Sequence, residues 1–377
     1  MKTFLFNHLK NIQGWRSKRK LVIFSVDDYG NVRIASKKAS DELKRSGILP
    51  VSIFDWYDSM ETREDLEALF EVLTSVKDKN GNHPVFTPYA LPCNIDFEAI
   101  EQNNYDDYRY ELLPVTFEKL AASDPKAYEG TWALWQEGIR KGLMKPQFHG
   151  REHLNLHIFR DLLRNKNQNL LTSLKHRSYI ALPEHKNYRQ GWTSAYAFRK
   201  IEETSGMLDN IKDGLKYFNQ VYGYEAKVFT PSAASFPPNI EAGLPETGLR
   251  YFDRPRHTNR YQGNGEYKKE YYKLGEVHSL PVIVRNVVFE PATTDYTNDW
   301  LNFTMKQIEA AFFWGKPAHL SSHRTNFSGH IDANNRKKGL NTLQQLLKEI
   351  VKRWPEVEFI SSDQLGDIVY QKGSASG

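Results

Sequence analysis

The sequence alternates short apolar runs with longer amphipathic stretches, and this alternation limits the possible folds more than any other feature. Short apolar runs predict buried β-strands, and stretches with an apolar residue at every third or fourth position predict helices. A strand pattern followed repeatedly by a helix pattern is typical of β/α units around a parallel sheet. The chain therefore reads as an α/β protein.

The strand pattern occurs in nine segments: 20–26, 50–54, 84–89, 146–148, 226–231, 249–252, 278–284, 317–322 and 357–362. The helical pattern is clearest in segments 63–77 and 340–354. About eight strands with helices between them favour a closed (β/α) barrel. A doubly wound sheet is the alternative, but no GxGxxG motif follows the first strand, so a dinucleotide-binding version has no support.

The chain shows no internal repeat and no linker rich in Pro, Gly or Ser, so we predict one domain. Its predicted limits are an N-terminal extension at residues 1–19, a barrel at residues 20–370 and a flexible tail at residues 371–377. The polar, aromatic-rich segments 99–135 and 183–200 are predicted to be long excursions from the barrel, because such loops commonly form the rim of an active site.

Charge and cysteine content exclude several classes of protein. The net charge is +5, and the basic run RSKRK at residues 16–20 is too short to indicate a nucleic-acid interface. Cys93 is the single cysteine, which excludes an intramolecular disulfide and a cysteine-rich zinc site. The N-terminal residues lack the pattern of a secretory signal, and no apolar run is long enough to span a membrane. We therefore expect a cytoplasmic protein.

Histidines recur at intervals of four residues in two places. The segment PQFHGREHLNLH contains His149, His153 and His157, and the segment PAHLSSHR contains His319 and His323. Two histidines four residues apart on a helix share one face, close enough to bind one metal ion. His149 follows a predicted strand and precedes a helical pattern, which would place it at the catalytic rim of a barrel. A polar helix face is the simpler alternative for an isolated pair.

Two adjacent aspartates, Asp27 and Asp28, end the first predicted strand in the segment LVIFSVDDYGN. A strand end exposed to solvent is the simpler explanation of these two aspartates. Two neutral imidazoles and one carboxylate, however, form a zinc-like hydrolytic site, and the second carboxylate can then act as a general base. Two close carboxylates repel each other, and a dication relieves that repulsion. His323, at the end of a late strand, has the character of a general acid.

These motifs, in this order, resemble those of the polysaccharide deacetylases of the NodB-homology group, carbohydrate esterase family four. The resemblance runs from residue 20 to residue 365. It implies an irregular (β/α) barrel of seven or eight strands and one divalent metal ion per chain, most simply Zn²⁺, held by the ligands Asp28, His149 and His153. It also implies Asp27 as the catalytic base and His323 as the catalytic acid.

Two departures from the family pattern affect the expected site. The family's TFDDG motif reads SVDDYG here, which also looks like the DDFG of the YdjC-type deacetylases. Thr230, in the segment FTPSAASFP, stands where the family has the arginine that orients the base. Arg285 is our candidate for the missing partner of Asp27. Tyr29, Arg285 and Glu290 are our candidate substrate contacts.

The sequence thus predicts a metal-dependent hydrolase of C–N amide bonds, which removes acetyl groups from an N-acetylated sugar in an oligosaccharide, a polysaccharide or a glycan precursor. The predicted partner is a carbohydrate, with no nucleic acid, and no oligomeric state is indicated. Loss of the family arginine favours a non-catalytic carbohydrate-binding protein as an alternative. The segment HGREH also fits the HxxEH motif of zinc metallopeptidases, with Glu152 as base, but that interpretation gives no role to Asp27 or His323.

Overall fold

Strand-forming apolar residues build the inner layer of the protein, which the computed structural model describes over residues 2–183, 191–232 and 236–370. The strands in these ranges are β1 (Leu21–Tyr29), β2 (Phe86–Ala90), β3 (Cys93–Ile95), β4 (Tyr110–Leu112), β5 (Gln147–Phe148), β6 (Val228–Phe229), β7 (Tyr251–Pro255), β8 (His257–Gly263), β9 (Glu266–Tyr271), β10 (Val282–Arg285), β11 (Val287–Val288), β12 (Ala318–His323) and β13 (Glu358–Phe359).

Helices follow most of these strands. In the same ranges they are α1 (Lys2–Leu9), α2 (Lys37–Arg45), α3 (Ile53–Tyr57), α4 (Arg63–Thr74), α5 (Phe97–Gln102), α6 (Leu113–Ser123), α7 (Pro125–Tyr128), α8 (Thr131–Arg140), α9 (Leu156–Arg164), α10 (Gln168–Lys175), α11 (Met207–Tyr222), α12 (Pro238–Glu241), α13 (Trp300–Phe313), α14 (Ala333–Arg353) and α15 (Ser362–Tyr370). Short 3₁₀ turns lie at Ile201–Thr204, Leu244–Thr247 and Arg324–Phe327.

The main sheet is parallel and nearly closed. Its strands follow the order β10-β7-β6-β5-β2-β1-β12-β11, and β13 pairs with the start of β1. The two ends of this path, β10 and β11, are joined along the chain through Asn286. The Asn286 side chain accepts the His319 N–H at 2.9 Å and donates to the Pro317 carbonyl at 2.9 Å, which fastens the seam to β12. The predicted (β/α) barrel is confirmed.

Successive side chains of β1 point alternately into the barrel interior and towards the outer layer of helices. Leu21 and Ile23 pack inside the barrel with residues such as Ile283, whereas Val22 and Phe24 pack in the larger cluster with the helices. Both faces are fully buried, as expected for a parallel strand covered by helices. Because side chains alternate with a period of two, Asp27 belongs to the same inward face as Leu21 and Ile23.

Two predicted helices are present in the structure, and one predicted strand is not. The predicted helices 63–77 and 340–354 correspond to α4 and α14, although α14 begins earlier, at Ala333, after an N-cap at Asp332. The predicted strand at residues 50–54 is wrong, because this segment leads into α3. The Asp55 carboxylate accepts the Val51 N–H at 3.3 Å, so this backbone group is satisfied locally rather than by a neighbouring strand.

A hairpin that the sequence analysis missed follows β7. Strands β8 and β9 pair in antiparallel fashion, and Asn264 and Gly265 turn the chain with φ values of 53° and 83°. The dipeptide Asn-Gly between strand-forming residues is a strong hairpin signal, so this element could have been found from the sequence. The hairpin matters because its first residues line the large cavity of the barrel.

The N-terminal residues lie against the barrel. Helix α1 packs on α13, and the Ser17 N–H donates to the Gly315 carbonyl at 2.7 Å. The predicted limits at residues 19 and 370 stay predictions. The predicted tail 371–377, and residues 184–190 of the predicted excursion at 183–200, lie outside the described residues. Among the described helices, none combines the length and the apolar character needed to cross a membrane.

Candidate metal centre

Both carboxylates of the Asp27–Asp28 pair reach the same cavity because β1 is irregular at its end. The register with β2 shifts between Val26 and Tyr29, and Asp28 has a φ of 74°, which non-glycine residues adopt rarely. In a regular strand, the two side chains would point to opposite faces. Here both line a cavity of about 470 Å³ at the C-terminal end of the barrel. The backbone irregularity therefore puts two carboxylates in one place.

Asp28, His149 and His153 converge in this cavity. The Asp28 Oδ1 atom lies 3.4 Å from the His149 Nε2 atom and 3.1 Å from the His153 Nε2 atom. All three residues are buried, and each offers one ligand atom within 4.8 Å of the other two. Among the described residues, this is a buried set of the carboxylate and imidazole donors that Zn²⁺ prefers.

Hydrogen bonds fix which nitrogen of each imidazole faces Asp28. His149 Nδ1 lies 2.9 Å from the Thr230 carbonyl, which can only accept, so this nitrogen carries the proton. His153 Nδ1 lies 3.0 Å from the Tyr179 hydroxyl, whose own proton goes to the His153 carbonyl. In neutral rings, both Nε2 atoms then present lone pairs to the same carboxylate.

This arrangement of lone pairs fits a cation. Burial lowers the pKa of His153 even though Asp28 opposes the shift, so the neutral, metal-binding form of the ring is favoured. The His149 and His153 bonds to backbone and hydroxyl oxygens are the outer contacts that orient metal-ligating histidines. The donor set fits a divalent cation, and the assignment of Asp28, His149 and His153 as its ligands stays a prediction.

The histidine spacing brings the two rings together in a way the sequence analysis did not foresee. His149 and His153 lie in the connection between β5 and α9, not on one face of a helix. Gly150 has a φ of 126°, and a Cβ there would lie 3.0 Å from the Tyr196 hydroxyl. His157 does lie on α9, but it is partly exposed and faces Asp161 and Glu203, each at 3.5 Å, away from the candidate ligands.

Arg285 binds the second carboxylate of the pair. Its two terminal nitrogens each lie 2.8 Å from an oxygen of Asp27, and its Nε atom lies 2.9 Å from Asp253. Burial alone would raise the pKa of Asp27, but the Arg285 guanidinium reverses this effect and lowers it. Asp27 is therefore ionised and held in one orientation.

Arg285, our candidate partner of Asp27, does bind this carboxylate. It comes from the end of β10 rather than from the connection after β6, and Thr230 contributes its carbonyl to His149 instead. The loss of an arginine at position 230 was the observation that favoured a non-catalytic binding protein, and the Arg285–Asp27 pair removes it. Arg285 also lines the cavity, so its predicted contact with substrate stays a prediction.

His323 faces Asp27 from β12. The His323 Nε2 atom lies 3.8 Å from the Asp27 Oδ2 atom, and Nδ1 lies 2.6 Å from the Glu290 carboxylate. Burial lowers the pKa of His323, but Glu290 and both aspartates outweigh it and raise the pKa to about 10. Glu290 is buried, also binds Asn326, and is absent from the cavity lining among the described residues. The predicted contact of Glu290 with substrate is therefore wrong, since this carboxylate orients His323.

Tyr29 is a second correction. Only 1% of its surface is exposed, and its ring packs edge-on against Trp135 with 5.7 Å between the ring centroids. Regular alternation would give Tyr29 the same inward face as Asp27, but the irregularity at Asp28 turns it towards the outer layer. Tyr29 therefore does not contact substrate from its position in the core.

The metallopeptidase interpretation of HGREH is also wrong. That motif requires a helix, and residues 149–153 are not helical. The Glu152 carboxylate is bound to Arg151 at 2.7 Å and to Asn210 at 2.9 Å. These partners bind the Glu152 carboxylate outside the cavity lining, so it is not available as a base beside the histidines.

The sequence analysis missed Asp253 and Tyr179. Asp253 ends the inward face of β7 and is completely buried beside Arg285. An acidic residue in the segment FDRP, at the end of a predicted barrel strand, was an available signal. Tyr179 gave no such signal, because it lies in a loop and meets His153 only through the fold.

A second cluster of carboxylates has a different explanation. Asp96, Glu98 and Glu111 lie within reach of one another, but the Lys119 ammonium pairs with all three. A cation of the chain itself therefore compensates their charge.

Comparisons with known proteins give only distant likenesses. No family model matches the sequence, and no curated protein matches it. Among solved structures, Puue allantoinase shares 9% identity at a TM-score of 0.47, with 95% of this chain and 92% of that chain covered. A probable polysaccharide deacetylase from Pseudomonas aeruginosa PAO1 shares 9% identity at a TM-score of 0.46, with 95% and 93% covered.

The chain also resembles part of a larger enzyme. The 4-alpha-glucanotransferase from Thermococcus litoralis shares 13% identity at a TM-score of 0.42, and the match covers 92% of this chain but 40% of that one. Identities and scores of this size are too low to assign a family, so the function has to be inferred from the site itself.

Proposed function

We propose that the protein is a metal-dependent hydrolase that removes the acetyl group from an N-acetylated sugar. The observation that carries this proposal is the pairing of an ionised Asp27 with a hydrogen-bonded His323 beside the buried Asp28–His149–His153 cluster. A base, an acid and a metal-binding set within one cavity are what hydrolysis of an amide requires.

A divalent ion bound by Asp28, His149 and His153 would supply Lewis-acid polarisation of the acyl carbonyl and of the attacking water. Asp27 accepts the proton of that water. Arg285 binds both oxygens of this carboxylate, which keeps it ionised and prevents it from rotating away. Asp253 holds Arg285 from the other side.

His323 protonates the departing amine. Its Nδ1 is committed to Glu290, so the Nε2–H faces the cavity, where the amide nitrogen would lie. The raised pKa keeps the ring protonated at neutral pH, as a general acid must be. An amine is a much poorer leaving group than an alcohol unless it is protonated, so a committed acid supports an N-acetyl rather than an O-acetyl substrate.

The cavity walls support a sugar ring as the carrier of the acetyl group. Phe54, Phe236, Phe252, Tyr272 and Tyr296 all line the cavity. Aromatic faces pack against the apolar face of a pyranose, while the polar groups around Asp27 meet the acetamido substituent. A volume of about 470 Å³ suits a monosaccharide or a disaccharide unit.

Metal analysis together with acetate release tests the proposal. The parent protein should bind one divalent ion per chain and release acetate from at least one member of a panel of N-acetylated mono- and oligosaccharides. The variants Asp28→Ala and His149→Ala should lose both properties. His157→Ala is the matched control, because it removes a nearby histidine that faces Asp161 on the surface. A parent protein that binds no divalent ion would rule the proposal out.

A further inference from the structure

The cationic side chains of the cavity are not all balanced by carboxylates. Among the described residues, the lysine and arginine side chains that line it are Lys10, Arg254, Arg256, Arg260 and Arg285, while the protonated His323 is paired with Glu290. Arg285 pairs with Asp27 and Asp253. Arg254 and Arg260 share the Glu241 carboxylate, which lies behind the cavity wall, and Arg260 also lies 3.5 Å from the Glu270 carboxylate. These three arginines are therefore neutralised where they stand.

Lys10 and Arg256 differ from the other three. The Lys10 ammonium donates to the side-chain oxygen of Gln307 at 2.9 Å, which is a neutral acceptor. Within the described ranges, no carboxylate lies within ion-pair distance of Lys10 or Arg256. Burial, and then the repulsion of Arg256, lower the pKa of Lys10 to about 8. The Glu276 carboxylate attracts Arg256 from beyond ion-pair distance. Within the described residues, two like charges therefore face one cavity without a carboxylate in direct contact with either.

The Lys10 ammonium is held in place. Gln307 is buried, and its side-chain oxygen also accepts the Val288 N–H at 3.2 Å, so the acceptor for Lys10 is fixed to β11. Arg256 lies between β7 and β8, on the connection that leads into the hairpin. Placing two cations together without an anion costs free energy. A bound anion would recover that cost.

The two cations and the candidate metal ligands come from different strands but line the same cavity. Arg256 follows β7, which is separated from β5, the strand before His149, by β6 and from β1 by β6, β5 and β2, and Lys10 reaches the cavity beside the seam between β10 and β11. A ligand that fills the cavity would thus meet both the candidate metal-binding cluster and the cation pair.

We infer that the substrate carries an anionic group, a phosphate or a carboxylate, which Lys10 and Arg256 bind at the seam side of the cavity. The substrate class would then be an acidic acetamido sugar rather than a neutral one. The acetamido part of this inference rests on the proposed function, whereas the anion site stands on two cations that have no carboxylate within ion-pair distance among the described residues.

The first experiment measures binding without turnover. Titration calorimetry of the full-length protein would use glucose, glucose 1-phosphate and glucuronate, none of which contains an acetyl group. At least one charged sugar should bind at least tenfold more tightly than glucose, and the tighter of the two shows whether the anion is phosphate or carboxylate. The preference should fall as salt concentration rises.

Substitutions then locate the site. Lys10→Met and Arg256→Met should each reduce the preference for the charged sugar at least fivefold and leave glucose binding within twofold. Lys10→Arg should keep the preference, because it keeps the charge. Lys269→Met is the matched control, since it removes an exposed charge from the β8–β9 hairpin and should change nothing.

Two results would overturn the inference: glucose bound as tightly as both charged sugars, or a preference that survives both Met substitutions. Failure of the proposed function looks different. A protein that prefers a charged sugar through Lys10 and Arg256, but releases acetate from no N-acetylated sugar, would retain the anion site and lose the deacetylase activity.

Discussion

Two clusters that each combine one arginine with two carboxylates have different surroundings. The cavity triad consists of Arg285, Asp27 and Asp253, and the interior triad consists of Arg324, Asp58 and Glu61. In each, the guanidinium binds one carboxylate through two nitrogens and a second carboxylate through the third. Both clusters are mostly buried, so composition and geometry alone do not separate them.

The two triads differ in what their carboxylates contact besides the arginine. Asp27 opens onto the cavity. Glu61, in contrast, accepts the Trp135 indole N–H at 2.8 Å and the Gly30 N–H at 3.2 Å, and so fastens the turn after β1. A carboxylate whose oxygens are all hydrogen-bonded within the protein contributes to stability. A carboxylate that also faces a cavity can take part in a reaction. His323 and Arg324 are consecutive residues, yet they belong to different sites.

The comparison predicts the largest effect for Asp27, the carboxylate that opens onto the cavity, and the affected quantity is kcat. Asp27→Asn should reduce kcat by about 10²–10⁴-fold, because the proton acceptor is lost. The free energy of unfolding should change less than for the corresponding change at Asp58, because Asp27 opens onto the cavity, where water can solvate the face of Arg285 that loses its partner. Kinetics of acetate release and urea unfolding would measure the two effects.

Asp58→Asn is the matched control, because it removes the corresponding carboxylate from the interior triad. It should destabilise the protein while the folded fraction keeps its kcat. If Asp58→Asn reduced kcat as strongly as Asp27→Asn, the distinction between the two triads would fail.

The next effect concerns the interior triad. Arg324→Met leaves the Asp58 and Glu61 carboxylates buried without a counter-charge, and should lower the free energy of unfolding by about 3–5 kcal/mol. Urea denaturation would measure the loss. Arg63→Met is the control: its exposed pair with Glu67 on α4 should contribute about 0–1 kcal/mol. Equal losses in the two variants would contradict the prediction.

The smallest effect tests the interior beneath the cavity triad. His319 Nε2 lies 2.6 Å from the Ser25 hydroxyl and 3.9 Å from Asp253. Burial, only partly offset by Asp253, lowers its pKa from the usual 6.5 to about 4. As pH falls below the usual value, the unfolded chain binds a proton that the folded chain does not. Stability should therefore decline by about 3 kcal/mol between pH ~6.5 and pH ~4.

His319→Gln should remove that part of the decline, which unfolding curves at several pH values would reveal. His157→Gln is the control, since His157 is partly exposed on α9. Parallel pH curves for the parent protein and His319→Gln would show that the interior beside Arg285 accepts a second cation.

Much of the fold could be predicted because burial leaves a periodic pattern. The β1, β2, β7, β10 and β12 segments are apolar runs between amphipathic helices, and this pattern identifies a parallel barrel. The run at residues 50–54 failed because a short apolar segment has the same letters in a helix and in a strand. The β8–β9 hairpin was recoverable, since Asn264–Gly265 is a turn signal.

The site was predictable where a residue's type and its strand end sufficed. Asp27, Asp28, His149 and His323 were proposed in this way, and the structure brings the four side chains into one cavity, while their roles stay predictions. Tyr29 and Glu290 were misjudged, because the direction of a side chain depends on register. The positive φ at Asp28 changes the face on which Tyr29 lies.

The sequence by itself favoured the barrel and determined the inward face of β1 and the residue types of the candidate metal-binding cluster, because burial and ligand chemistry act on residue types in local order. Only the tertiary structure decided which charges meet. Arg285 reaches Asp27, and Glu290 reaches His323, because strand order and side-chain direction choose partners that are far apart in the chain. For the same reason, Lys10 and Arg256 have no carboxylate within ion-pair distance among the described residues. The Asp27–Asp28 pair shows both contributions. Its two carboxylates can be read from the sequence, but the bulge that brings them into one cavity is seen only in the structure.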